Sequence, residues 1–210
     1  MHYIEIVSNG IQQTLVIGFS AFAMGLVLAV PLVCLRCAPN RVVRLVSAGL
    51  IELTRAIPPL VWLFVCYFAI SEWIVLSSMQ AAILGLGVIT GAYLSEVYRG
   101  ALNSVAVGQW EAAHSLGLPP VTVYVRVILP QAFVAGIQPA FTYGISLLKD
   151  TSLAALIGAT EITYWALRET RVTFDGLQLF AVAGAFYIGF SLILGWVGDF
   201  VDSKATKWVA

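Results

Sequence analysis

Charge is what this sequence has least of. Only 10% of its 210 residues are Asp, Glu, Lys or Arg, while 60% are apolar, and the mean hydropathy is +0.92. A soluble domain carries about 25% charged residues, so this chain has too little charge to cover a water-facing surface. Intrinsic disorder is excluded as well, since low hydrophobicity is its signature. Eleven basic and eleven acidic residues cancel, which leaves no bulk attraction for nucleic acid. Three cysteines cannot make a disulfide framework. Cys34 and Cys37 form a lone C-x-x-C, and only His2, His114 and Cys66 could add to it. That falls short of a four-ligand structural zinc site, so no metal is expected. The chain also lacks G-x-x-x-x-G-K-[ST], H-E-x-x-H and G-x-S-x-G. It therefore has no phosphate-cradling loop and no zinc-protease or serine-hydrolase signature. We expect no catalytic residue and no cofactor on this chain.

What is present is long apolar stretches. A bilayer core needs roughly 20 apolar residues in a helix. Five stretches qualify, near residues 11–35, 47–70, 79–98, 127–148 and 177–197. The expectation is an all-α membrane protein, one domain over residues 1–210, with about five transmembrane helices. A sixth apolar piece, residues 152–166, is too short to span and reads as a re-entrant or interfacial helix. The first stretch lacks a basic n-region and exceeds a signal-peptide core, so it reads as a membrane anchor. Gly85, Gly87 and Gly91, and likewise Gly184, Gly189 and Gly195, read as helix-packing positions, because small residues let membrane helices approach. With five spans, Arg36, Arg41, Arg44, Arg99, Arg126, Lys204 and Lys207 fall on one side and Lys149, Arg168 and Arg171 on the other. The positive-inside rule makes the first side cytoplasmic. The N-terminus is then outside, the C-terminus is inside, and the loop 99–126 is cytoplasmic.

That loop is the most informative segment. Residues 109–116 read as a short helix, with Glu111 in its first turn, where an acidic group suits the dipole. Ala112 and Ala113 give the helix a small side. Gly117 suits the left-handed cap position, and Pro119 and Pro120 prevent continuation. A short capped helix between two spans has the form of an element that docks into a groove on a soluble partner.

The pattern Glu111-Ala112-Ala113, three residues, Gly117, nine residues, Val127-x-Leu129-Pro130 resembles the EAA signature of ABC importer permeases. Several further segments are similar to the polar amino acid branch of that family. They are Ser95-Glu96 through Arg99-Gly100 to Gly108-Gln109, Arg55 through Pro58-Pro59-Leu60, Leu129-Pro130-Gln131-Ala132, and Lys149-Asp150-Thr151-Ser152-Leu153. Ala106 stands where the branch often has Pro, and Tyr143 lies where an Asn is common. The second departure bears on substrate identity. The resemblance implies a pathway formed by two permease chains, identical or homologous. It also implies two ABC ATPase subunits inside carrying ATP and Mg, and a periplasmic or extracellular solute-binding protein outside. Glu111, Ala112, Ala113, His114 and Gly117 would then couple to the ATPase, in a bacterial inner membrane.

For the path itself, Gln138, Thr142, Ser146 and Lys149 are spaced 4, 4 and 3 apart, which places them on one helical face. Polar groups in spans tend to face the bundle interior. A polar amino acid substrate needs partners for a carboxylate and an ammonium. Lys149, or a broken-helix N-terminus near Thr151 and Ser152, suits the first, and Asp150 or Glu161 the second. The alternative is that Lys149 pairs with Asp150 or Glu161 and only fixes a helix break. Glu96 with Arg99, and Glu52 with Arg55, are spaced as structural ion pairs. Pro58 and Pro59 break or kink the second span. Two rival readings are a single-chain, ATP-independent amino acid exporter and an intramembrane hydrolase. The docking loop speaks against the first, and the lack of a nucleophile–base pair against the second.

Overall fold

The computed structural model describes residues 2–209. Among them the regular elements are all helical. A short helix α1 (His2–Ser8) turns at Gly10 into α2 (Ile11–Arg36). Helix α3 (Arg41–Ala56) follows, started by Asn40, whose side chain accepts from the Val42 and Val43 amides. That N-cap satisfies two of the four donors a helix start leaves unpaired.

The second span, expected over 47–70 with a break or kink at Pro58 and Pro59, is broken there. It breaks at Ile57 and Pro58, and α3 meets α4 (Pro59–Phe64) and its π-helical continuation (Val65–Ala69) at 95°. Pro59 has no N–H to give a preceding turn. The residue before a proline is pushed to extended backbone, as the Ile57 ψ of 128° shows. The Trp62 Nε1 donates to the Thr54 carbonyl at 3.1 Å and fastens the corner. Among the described residues four helices are long and apolar enough to cross a membrane, or five if the bent pair counts as one span.

Helix α5 (Ser78–Ser104) opens with a reciprocal capping box between Ser77 and Gln80, which pairs two orphan donors at once. It runs six residues past the expected end. Next come α6 (Val107–Ser115) and the single turn α7 (Pro120–Thr122), which leads through a π-helical turn (Val123–Ile128) into α8 (Leu129–Asp150). A 3-10 segment (Thr151–Ile157), stopped by left-handed Gly158, precedes α9 (Ile162–Thr173) and α10 (Gly176–Val209).

Helices α2 and α5 form the most extensive pair. Their contact joins the main core, in which Ile17, Ala21, Leu63, Leu86, Leu147 and Ile157 are buried. The α5 glycines behave as expected: Gly85 lies against the Trp62 backbone, Gly87 against Met24 and Gly91 against Leu28. Gly184 and Gly189 do not, since nothing in this chain lies near them. Most of the α10 apolar surface faces outward; Leu192 and Ile193, for example, are exposed. A smaller core of Val7, Ile162, Ala166, Leu179 and Ala183 ties α1, α9 and α10 together.

Candidate functional site

Helix α6 is clamped from one side and bare on the other. Ala113 is buried among Ala101, Val105, Val123, Ile128 and Ala132, with Trp110, Leu118 and Val127 packed around them. Trp110 meets the Tyr124 ring edge-on at 5.1 Å. Gln131 donates both to Gln109 and to the Val127 carbonyl. The helix is therefore held to the end of α5 and the start of α8. Glu111, Ala112 and His114 face outward, as do Val107 and Leu116. Gly117 has φ +66°. Its amide bonds to the His114 carbonyl and the Leu118 amide to the Ala113 carbonyl, which closes the helix end in the left-handed manner foreseen. One detail is corrected. The helix begins at Val107, not near Gln109, so Glu111 lies past its first turn. Ala106, at the N-cap, offers no side-chain acceptor, so no residue there marks the start.

The side of the molecule that carries α6 is braced by charge. The Glu96 carboxylate takes Arg99 at 2.7 Å through one oxygen and Arg36 at 3.1 Å through the other. The i,i+3 pair was legible in sequence. Arg36 was not, because it arrives from 60 residues away. Bridging α2 to α5 is a structural role, consistent with the pairing inferred for Glu96.

The path residues separate into two groups. Thr142, Ser146 and Lys149 are exposed along α8. The Thr142 and Ser146 hydroxyls donate to their own helix carbonyls. Gln138 donates to Asp199 of α10 at 2.8 Å. Lys149 makes no ion pair with Asp150 or Glu161 among the described residues. Tyr143 is half-buried, stacked on Tyr93 at 4.9 Å with its hydroxyl 3.4 Å from Thr90. Asp150 and Ser152 are half-buried, whereas Thr151 and Glu161 are fully buried.

The expected free helix N-terminus near Thr151 and Ser152 is not there. Helix α8 passes directly into 3-10 turns, with Thr151 Oγ1 donating back to the Leu148 carbonyl. The nearest true start is that of α9, and it is occupied. Glu161 accepts from the Tyr164 amide at 2.7 Å, and the Thr14 hydroxyl of α2 accepts from the Ile162 amide at 3.1 Å.

Glu161 lies between the fourth and fifth spans. Its second oxygen accepts from Tyr187 of α10 at 2.5 Å. Burial pushes its carboxyl up to about 7, against the opposing hydrogen bonds from Tyr187 and the Thr163 and Tyr164 amides. The folded state thus holds a proton that the unfolded chain releases near 4.5. Stability should fall as pH rises from about 4.5 to 7, by an amount on the order of 3 kcal/mol for a shift of this size. We expect the thermal midpoint of the detergent-solubilised protein to drop across that window, and Glu161→Gln to flatten the drop. A wild-type midpoint constant over the window contradicts the assignment.

The long apolar helices define a multi-pass membrane protein, with α6 clamped on one side and exposed on the other. The chain belongs to the binding-protein-dependent transport system inner membrane component family, whose model matches residues 21–207. It is 32% identical to the nopaline transport system permease protein NocM of Agrobacterium fabrum, over 88% of this chain and 81% of that one. It is 31% identical to the L-cystine transport system permease protein TcyB of Bacillus subtilis, over 98% and 88%. Among solved structures, an amino acid ABC transporter crystallised with histidines has the same fold, with a TM-score of 0.90 at 24% identity over 97% of this chain and 95% of that one. The inward-facing MetNI methionine ABC transporter superposes at 0.79, with 20% identity over 95% and 96%. Family membership supports the transport-system permease over the single-chain exporter.

Proposed function

We propose that this chain is the permease subunit of an ATP-driven importer for polar amino acids or opines. In this reading two permease chains, identical or homologous, enclose the path. Two ABC ATPase subunits, which carry ATP and Mg, dock on α6 from the cytoplasm. A solute-binding protein delivers substrate on the other side. The N-terminus is then outside, and the basic cluster around Arg36, Arg99 and Arg126 is inside. The substrates named for NocM and TcyB support the amino acid class. The bare apolar groups on α10 suit lipid or a second permease.

The observation that carries the reading is α6 itself. It packs on the Val123–Ile128 turn, the end of α5 and the start of α8 through buried Ala113 and half-buried Trp110, and it presents Glu111, Ala112 and His114 outward. A push on it is transmitted to both spans. Two arrangements of the permease pair, open inward and open outward, would be the bistable element it biases. The exposed Thr142, Ser146 and Lys149, with Gln138, Tyr143, Asp150 and Ser152, would line or flank the path. Thr151 and Glu161 would support it from behind.

The test is Gly117→Asp. A Cβ at Gly117 meets nothing in this chain, and a left-handed backbone at a non-glycine residue costs about 1–2 kcal/mol. The permease should therefore insert and remain folded. The added carboxylate stands beside the docking face, so the ATPase should be lost on co-purification and uptake should fall at least tenfold. A variant that keeps its ATPase and imports at the wild-type rate contradicts the docking role.

A further inference from the structure

We propose that Arg55 is a carboxylate-receiving residue of the transport path, held ready by stacking on Tyr93, which in turn stacks on Tyr143; this rests on the importer reading above. The three residues come from three helices, α3, α5 and α8. The Arg55 guanidinium lies 4.7 Å from the Tyr93 ring centroid, and that ring stacks on Tyr143 at 4.9 Å and 23°. Cation–aromatic stacking of this kind holds a guanidinium flat without using its N–H donors.

The donors are unevenly used. Nη1 donates to Glu52 at 3.1 Å, a carboxylate that is 63% exposed. Nε is buried and has no hydrogen-bond partner. An unpaired buried donor on a cation is costly. Nε belongs to the side-on edge of the guanidinium, which Glu52 does not use and which fits a carboxylate bidentately. Arg55 sits at the α3 end of the corner made by Ile57 and Pro58, where the 95° bend turns the chain. Tyr143 is two helical turns from Asp150 on α8, about 10 Å along the axis. In this state Nε is covered, so the edge opens when the stack parts. An α-carboxylate moving along the path would take the place of the stacked rings.

The experiment measures binding to the detergent-solubilised permease–ATPase complex without the solute-binding protein, whose own selectivity would mask the effect. The probes are tritiated L-glutamine, L-cystine, L-histidine and L-arginine. Each is compared with its decarboxylated amine: 4-aminobutanamide, cystamine, histamine and agmatine. For the amino acid that binds, Arg55→Gln should weaken affinity roughly 10- to 100-fold, as expected for a lost charged hydrogen bond. Binding of the matching amine should change less than twofold. Arg55→Lys keeps the charge but not the side-on edge and should recover only part of the loss. Glu52→Gln should bind as wild type. Wild-type affinity in Arg55→Gln overturns the proposal and leaves the importer reading standing. So does equal loss of amino acid and amine, which marks a structural role. A wild-type complex that binds none of the four overturns the proposal and leaves the importer reading to be judged by uptake in cells.

Discussion

Gly10→Ala is expected to cost about 3 kcal/mol or more, at or above the top of the usual range for overpacking. The Gly10 backbone is ordinary, with φ −84°, so conformational freedom is not the reason for glycine here. Proximity is: a Cβ at this position would overlap the Glu161 carbonyl carbon and the Ile162 nitrogen. Those are backbone atoms, which cannot rotate aside. The contact also sets a relay. Thr14 Oγ1 donates to the Gly10 carbonyl at 3.0 Å and accepts from the Ile162 amide. Moving α9 away by even a few tenths of an ångström strains the Thr14 cap on Ile162 and the Tyr187 bond to Glu161. The expected result is a fall of several degrees in the thermal midpoint of the purified protein. It should come with protease cleavage between α8 and α10. An alanine variant as stable as wild type rules out the close approach.

The second large effect lies at the α2–α5 crossing. A Cβ on Gly25 would overlap the Thr90 methyl and lie 2.6 Å from the Thr90 Cβ. Thr90 is fully buried, and its hydroxyl is committed to the Leu86 carbonyl at 2.6 Å. Its β-branched side chain has little rotational freedom in a helix. Gly25→Val should therefore separate the two most extensively packed helices and prevent stable accumulation in the membrane. Gly25→Ala is milder, about 2 kcal/mol. It should be partly rescued by Thr90→Gly, which removes both clashing carbons for a helix-propensity cost of about 0.4 kcal/mol. The check is the thermal midpoint of the two single variants and the double variant. A double variant no better than Gly25→Ala alone counts against direct contact as the cause. Gly184→Ala and Gly189→Ala, which meet nothing in the chain, serve as controls.

The short helix α6 could be read before any coordinates because its determinants are local. Gly117 caps a run of helix formers, Pro119 and Pro120 stop it, and flanking apolar residues seat it. The position of its start could not be read, since Ala106 is a cap without an acceptor and leaves no sequence mark. The polar stripe of Thr142, Ser146 and Lys149 was legible for the same kind of reason, as helical periodicity alone places residues on a face. The free helix start near Thr151 was misjudged. Thr and Ser after a charged pair suggest a new N-cap, but nothing in the local sequence reveals that the turns continue as 3-10 helix to Gly158.

Composition and periodicity alone determined that this chain is helical and membrane-embedded. Its motifs determined that it resembles an importer permease, because apolar length and cap spacing act within a few turns of each residue. Tertiary structure decided the rest. It brought Arg36 to Glu96, Thr14 to Ile162 and Tyr187 to Glu161. It also laid Arg55 on the stacked tyrosines. Each of those pairings joins residues far apart in the chain, and their partners are chosen by helix packing, which no local pattern encodes.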